Sequence, residues 1–397
     1  GPAQARRAHR TTLRVKQPPL SLYVHLPWCV RKCPYCDFNS HSAGGDAPTS
    51  RYVDALLLDL EREAARAGPR AVETVFLGGG TPSLFSPEEI GRLLEGVNRH
   101  LTLASDAEIS MEANPGTVEC GSPAGYRAAG VTRVSIGAQS FDDVSLQRLG
   151  RIHSSDDIRR SVEDVVRAGF DNFNLDLMHC LPRQTVDMAE ADIRAAVELG
   201  PAHISWYQLT LEPNTVFHAR PPQGLPEDEN AWAIQDAGAE MLAAAGFEQY
   251  EISAWARPGK RCRHNLNYWE FGDYLAAGAG AHGKITDSNA VLRYNKAANP
   301  QQYMKMMESG DHGASAEVPG EADLLFEFML NALRLSNGFE ESLFVERTGL
   351  GPDYLYEAAS DALVDGLIGR SDAGIWRPTA LGRRFLNDLQ AQFLPAP

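Results

Sequence analysis

Six times in the first 250 residues a short apolar segment rich in Val, Ile, Phe and Tyr is followed by a longer amphipathic one. This alternation constrains the fold more than any other feature of the chain. Strands are predicted at 20–26, 73–78, 107–112, 132–137, 172–177 and 203–208, and helices at 50–67, 87–101, 121–129, 155–168, 186–199 and 228–245. In the helical stretches apolar residues recur three and four positions apart, as at Leu56, Leu57, Leu60 and Ala64, so one face of each can be buried. Strand, helix, strand in succession predicts an α/β fold with a parallel sheet and right-handed crossovers. Six units predict an open, partial (β/α)6 barrel.

Each predicted strand ends in residues that an inert core would not require: a cysteine loop after the first, Gly78-Gly79-Gly80-Thr81 after the second, then Glu112, Gln139, Asp176, and Tyr207-Gln208. In a parallel barrel these ends share one face, and that face carries the chemistry. The loop holds Cys29, Cys33 and Cys36, three of the six cysteines, spaced C-x3-C-x2-C. A cluster of four irons and four sulfurs takes one external donor per iron, so three thiolates leave one iron open to a small molecule. The alternative is zinc with His25 or His41 as fourth ligand, but zinc sites usually present C-x2-C pairs. Three closely spaced cysteines cannot all pair as disulfides.

A net charge of −15 argues against a nucleic-acid partner, because phosphate binding needs clustered cations. Hydrophobic content of 43% with 22% charged residues is ordinary for a globular protein. No apolar run approaches the roughly 18 residues that cross a bilayer. The isolated Cys120, Cys180 and Cys262 point to a reducing, cytoplasmic setting. The Arg-rich N-terminus lacks the apolar stretch of a secretory signal. Gly1-Pro2 without Met reads as a cloning remnant and 1–17 as a flexible lead.

After residue 250 the pattern changes. A loop bearing His264-Asn265-Leu266-Asn267-Tyr268-Trp269 leads into the glycine-rich Gly278-Ala-Gly-Ala-His282-Gly283. The division expected is a barrel at 18–250, a connecting region at 251–320 and a smaller domain at 321–397. The last is mainly helical, with Leu367-Ile-Gly-Arg and Gly374-Ile-Trp-Arg as a small hairpin before a final helix at 380–393. That order resembles a winged helix, and since the segment is not notably basic it is read as a packing or cover domain.

The run Tyr23-Val-His-Leu-Pro-Trp-Cys29-x3-Cys33-x2-Cys36 resembles the radical S-adenosylmethionine (SAM) superfamily, in the branch of oxygen-independent coproporphyrinogen oxidases and their relatives. Within that branch the chain looks most like the HemW-type heme chaperones, from about Leu20 to about Phe393. The resemblance implies a [4Fe-4S] cluster on Cys29, Cys33 and Cys36, with SAM on the fourth iron through its amino and carboxylate groups. Electron transfer from such a cluster can split SAM into methionine and a 5′-deoxyadenosyl radical. In a chaperone, cluster and SAM would serve mainly as a switch licensing heme transfer.

The same match puts Gly79, Gly80 and Thr81 at the amino group of SAM, where glycine lets backbone approach a ligand. It places Glu112, Gln139, Arg151 and Asp176 around SAM or a second ligand, with Tyr23 and Tyr35 flanking the cluster. Read alone, Glu112 would be a surface carboxylate near a turn. His264, Asn265, Tyr268 and Trp269 match the H-N-x-x-Y-W motif associated with heme, since a His can ligate iron and aromatic faces suit a porphyrin. Without the resemblance they would be a hydrogen-bonded His and core aromatics in a structural loop. His179, Cys180 and His282 are rival ligands.

Two departures bear on function. Asp37-Phe38 follows the third cysteine, where the true oxidases carry another cysteine at the second of those positions. Cys180 stands where the relatives usually have glycine. The resemblance therefore implies a heme chaperone whose partners are heme, SAM, heme-acceptor proteins and a reductant, with transient contact to membrane proteins. The alternatives are an oxygen-independent coproporphyrinogen III oxidase, a radical SAM methyltransferase of natural-product biosynthesis, and a degenerate structural protein.

Overall fold

The computed structural model describes residues 17–44, 47–116, 121–287, 290–311 and 315–395. The lead expected at 1–17 lies, except for its last residue, outside the described residues, as does Cys120.

The six predicted strands form β1 (Leu20–Leu26), β2 (Val72–Gly79), β3 (Leu103–Ala113), β4 (Arg133–Gln139), β5 (Phe173–His179) and β6 (His203–Gln208), adjacent in that order and parallel throughout. The crossover helices are α1 (Thr49–Ala67), α2 (Pro87–His100), α3 (Pro123–Ala129), α4 (Ser155–Arg167), α5 (Val186–Glu198) and α6 (Asp228–Ala244). The expected α/β architecture is thus the observed one.

Local chemistry explains where these elements begin. Ser86 caps α2 by accepting from the Glu89 N–H while the Glu89 side chain accepts from the Ser86 N–H, and Pro87 occupies the first turn. That reciprocal cap satisfies two otherwise orphaned donors. Ser154 and Asp157 do the same for α4. The buried stripe of α1, with Tyr52, Val53, Leu56 and Leu60 fully covered, lies against the outer face of the sheet. Each such side chain contributes on the order of 2 kcal/mol by leaving water.

The sheet extends past six strands. The segment beyond residue 250 adds β7 (Glu248–Glu251) and β8 (Ala254–Ala256) antiparallel beyond β6. On the other side β9 (Asp273–Ala277) runs parallel to β1, followed by antiparallel β10 (His282–Asp287), β11 (Ala290–Asn295) and β12 (Ser315–Glu317). Between the two edges the chain forms α7 (Arg263–Trp269). The H-N-x-x-Y-W segment, expected as a loop, is this helix. Its seven residues have no long apolar periodicity, and tertiary contacts alone hold them in helical form.

The C-terminal part has its own core around Phe328, Phe344, Leu355 and Trp376. Its helices surround a three-stranded antiparallel sheet of β13 (Phe339–Glu340), β14 (Ile368–Arg370) and β15 (Ile375–Pro378). The predicted final helix is broken at Phe385 into α8 (Ala380–Arg384) and α9 (Leu386–Ala391). Among the described residues no helix is long and apolar enough to cross a membrane.

Candidate functional site

In β1 and in β3 to β6, alternate residues carry the polar side chains: Ser21, Tyr23, His25; Glu108, Ser110, Glu112; Arg133, Ser135; Asn174, Asp176; His203, Ser205. Because successive side chains of a strand point to opposite faces, this set lines the inside of the partial barrel. Helix α7 closes the lumen at the end away from the cysteine loop, and a cavity of about 850 Å³ remains. Tyr23, Gly79, Glu112, Asp176, His264, Asn265, Tyr268 and Trp269 all face it. Residues far apart in the chain are therefore brought to one chamber.

The cysteine loop lies over the open end. Trp28–Cys29 pairs with His41–Ser42, the Cys36 N–H donates to Cys33 O at 3.1 Å, and all three thiols are free and half-buried. Arg151 donates from Nη1 to Cys33 Sγ at 3.5 Å and from Nη2 to Asn114 Oδ1 at 2.5 Å and Gly137 O at 2.9 Å. Cys33, Thr81 and Arg151 line a second, smaller cavity. Burial pushes the Cys29 and Cys36 thiols above their ordinary value, so a ligated metal must displace their protons. Among the described residues no three His, Cys, Asp or Glu side chains converge as ligands of a single ion. A cubane asks for no such convergence, since each thiolate takes a different iron. Three free thiols on one short loop, with a guanidinium beside them and a cavity below, fit that group.

The glycine turn joins loop and lumen. Gly79 has φ +115°, and a Cβ there would fall 2.3 Å from the His25 ring; one at Gly80 would fall 2.5 Å from Trp28 O. Glycine is required at both for close approach. The Gly79 N–H donates to Glu112 Oε2 at 3.0 Å, the Gly80 N–H to Leu26 O, and the Thr81 N–H to Trp28 O at 2.7 Å. Thr81 Oγ1 accepts from Asn114 Nδ2 at 2.9 Å.

Burial, then the charge of Asp176, pushes the Glu112 carboxyl up to about 7, against the Gly79 hydrogen bond. Burial likewise raises Asp176, which accepts from Ser135 Oγ at 2.9 Å and Asn174 Nδ2 at 2.7 Å. Two carboxyls in one low-dielectric chamber hold each other's protons. A cationic ligand relieves both.

Gln139 ends β4 with φ +68°, a strained value for a residue with a side chain. Its Oε1 accepts from Tyr207 OH at 2.8 Å. Tyr35 sits apart from the lumen wall, packed on Phe217 at 6.2 Å within an apolar cluster that includes Met178 and Leu209. Phe38 is 56% exposed at the mouth.

His264 is 1% exposed. Its Nδ1 is 2.8 Å from Thr74 Oγ1, its Nε2 is 3.1 Å from Tyr268 OH, and its ring stacks on Phe76 at 5.1 Å. Burial pushes its pKa down to about 3. Both ring nitrogens are engaged, so the imidazole is a fixed part of the lumen floor. Tyr268 stands edge-on to it, and Arg334 lies 4.3 Å over the Trp269 ring.

Sequence reasoning missed Asn114, Arg133, Asn174, His203 and Ser205, and weighed His25 only as a zinc ligand. His25 is held by Tyr23 OH and Asn39 O, both at 2.9 Å, and His203 by Asn174 Oδ1 at 2.6 Å and Tyr250 OH at 2.8 Å. A usable signal was present. In β1 and in β3 to β6 a polar residue recurs at every second position among apolar ones, the mark of two unlike faces.

The Radical SAM superfamily model matches residues 23–196 and the HemN C-terminal domain model residues 321–385. A protein named heme chaperone HemW from Escherichia coli is 48% identical over 381 residues, covering 96% of this chain and 99% of that one. The protein of the same name from Bacillus subtilis is 34% identical, covering 94% and 99%. Among solved structures, coproporphyrinogen III oxidase (HemN) from Escherichia coli matches with a TM-score of 0.79 at 23% identity, over 96% of this chain and 91% of that one. That likeness speaks for the fold alone. The cysteine loop, the polar lumen and identity along nearly the whole length converge: this chain belongs to the radical SAM superfamily and, within it, to the HemW family.

Proposed function

We propose that the protein is a cytoplasmic heme chaperone that binds heme and passes it to acceptor proteins. The observation that carries this reading is the 48% identity, end to end, with a relative named for that role. In this reading Cys29, Cys33 and Cys36 hold a [4Fe-4S] cluster, which the superfamily implies together with SAM. Such a cluster supplies one-electron reduction.

The rest is the work of this chain's own groups. Gly79 and Gly80 let the backbone approach the amino acid end of SAM, with Thr81 and Asn114 fixing the turn. Glu112 and Asp176 present negative charge to a cationic ligand, and Gln139, Tyr23 and Tyr207 bound the chamber. Arg151 places positive charge at Cys33, and its planar fork suits a carboxylate. Tyr35 supports the loop from its apolar side. His264, Asn265, Tyr268 and Trp269 close the floor and shape the lumen, a role that needs no bond to iron.

The test is an anaerobic titration with heme of protein reconstituted with iron and sulfide, followed by mixing with an apo heme protein under reducing conditions. A heme spectrum that moves to the acceptor is expected. Absence of heme binding overturns the reading.

The oxidase is the second reading, favoured by the shared fold with coproporphyrinogen III oxidase. Phe38, exposed at the mouth where the oxidases carry a cysteine, speaks against it. Anaerobic conversion of coproporphyrinogen to protoporphyrinogen would establish it instead.

A further inference from the structure

A third cavity lies outside the barrel. Where α6 and the C-terminal part meet the sheet edge, a cavity of about 320 Å³ is lined by His179, Trp206, Trp232, Trp255, Arg383 and Arg384. The alternation that sends Asp176 and Ser205 inward sends His179 and Trp206 outward, and no residue of this lining faces the lumen.

Its chemistry is uncommon for this chain. The protein carries 52 acidic and 37 basic residues, yet among the described residues Arg383 and Arg384 form no ion pair. Arg384 lies 4.4 Å over the Trp232 ring, and both arginines are exposed residues. Asp236, on the α6 wall, is likewise unpaired. Two cations without an ion-pair partner, beside three tryptophan side chains and a single carboxylate, suit a flat, largely apolar ligand carrying two negative charges.

The cavity also holds an imidazole with an unengaged ring nitrogen. His25, His203 and His264 each have both ring nitrogens within hydrogen-bonding distance of a partner. His179 uses only Nδ1, 3.2 Å from Cys180 Sγ, and its ring packs on Trp206 at 4.3 Å. Its Nε2 makes no hydrogen bond among the described residues. A metal-binding imidazole is normally steadied through its other nitrogen in this way. Cys180 is itself held in the left-handed region at φ +58°, which fixes the turn that presents the ring.

We propose that heme binds in this seam, and not at the lumen floor, with His179 Nε2 as iron ligand, the tryptophan side chains beside the macrocycle and Arg383 and Arg384 at the propionates. The inference rests on the heme-binding reading above. The cavity is at the small end for a ligand of this size, so the seam grips part of the porphyrin and leaves the remainder toward an acceptor. One wall belongs to the C-terminal part, so movement of that part is enough to loosen the grip.

The test is the anaerobic heme titration carried out on wild type, His179→Ala, the double variant Arg383→Ala/Arg384→Ala and His264→Gln, with iron, sulfide and melting temperature measured on each. His179→Ala is expected to lose the imidazole-ligated Soret spectrum and to regain it when free imidazole is added. The arginine variant, changed only at exposed positions, is expected to bind heme at least tenfold more weakly while binding heme dimethyl ester as wild type does. If wild type binds heme and neither variant alters spectrum or affinity, the seam is not the site and the heme reading stands. Loss of the spectrum in His264→Gln with His179→Ala unchanged returns the ligand to the lumen floor. If wild type binds no heme, both readings fall.

Discussion

Replacing His264 with alanine separates a structural imidazole from an iron ligand. The change removes contacts to Thr74 Oγ1 and Tyr268 OH and the ring packing on Phe76 and Tyr268. Two net hydrogen bonds at about 1 kcal/mol each, with about 1 kcal/mol for the aromatic pairs, give roughly 3 kcal/mol of lost stability. Urea unfolding of the apoprotein at pH 7.5 reads this as a lower midpoint with unchanged slope.

The pH dependence provides a second check. The folded pKa, about 3, lies below the ordinary 6.5, so the unfolded chain takes up a proton first and stability falls as pH drops below 6.5. By pH 5.5 the wild type forfeits about 1.4 kcal/mol from this group, and its advantage over His264→Ala shrinks by that amount. Heme binding should survive with the same spectrum. A variant as stable as wild type that has lost its heme spectrum refutes the reasoning and makes His264 the ligand.

Three further outcomes are expected. Alanine at Cys29, Cys33 or Cys36 should abolish the reconstituted cluster, and near-stoichiometric iron and sulfide in any of the three would count against the ligand set. Gly79→Ala forces a side chain onto φ +115° and into the His25 ring; strain and clash together cost about 2–4 kcal/mol, and SAM binding measured by calorimetry should fall with it. The Glu112 carboxyl, at about 7, is neutral at pH 6 and charged at pH 8, so affinity for the sulfonium cation of SAM should rise roughly tenfold between them. In Glu112→Gln that rise should flatten, and an equally steep profile would exclude Glu112 as its source.

Much of the fold was legible in the chain because the signals are local. A stretch such as Leu56, Leu57, Leu60 and Ala64 carries its helical period within eleven residues, and Ser86-Pro87 announces the start of α2. The cysteine spacing and the glycine turn are legible for the same reason, each being a short segment whose chemistry depends on its immediate neighbours. Where local signal was weak the reading failed. Arg263–Trp269 lacks a periodic stripe, and its helical form depends on Thr74, Phe76 and Glu108, more than 150 residues away.

Sequence alone thus determined the βα repeat, the superfamily and the three thiols. Tertiary structure alone decided which polar residues share a chamber, because that depends on how the sheet curves and which face of each strand turns inward. It also decided that His264 spends both nitrogens on the lumen floor while His179, on the opposite face of the same sheet, keeps one. No periodicity encodes a hydrogen bond between residues 74 and 264; only closure of the sheet around α7 makes it.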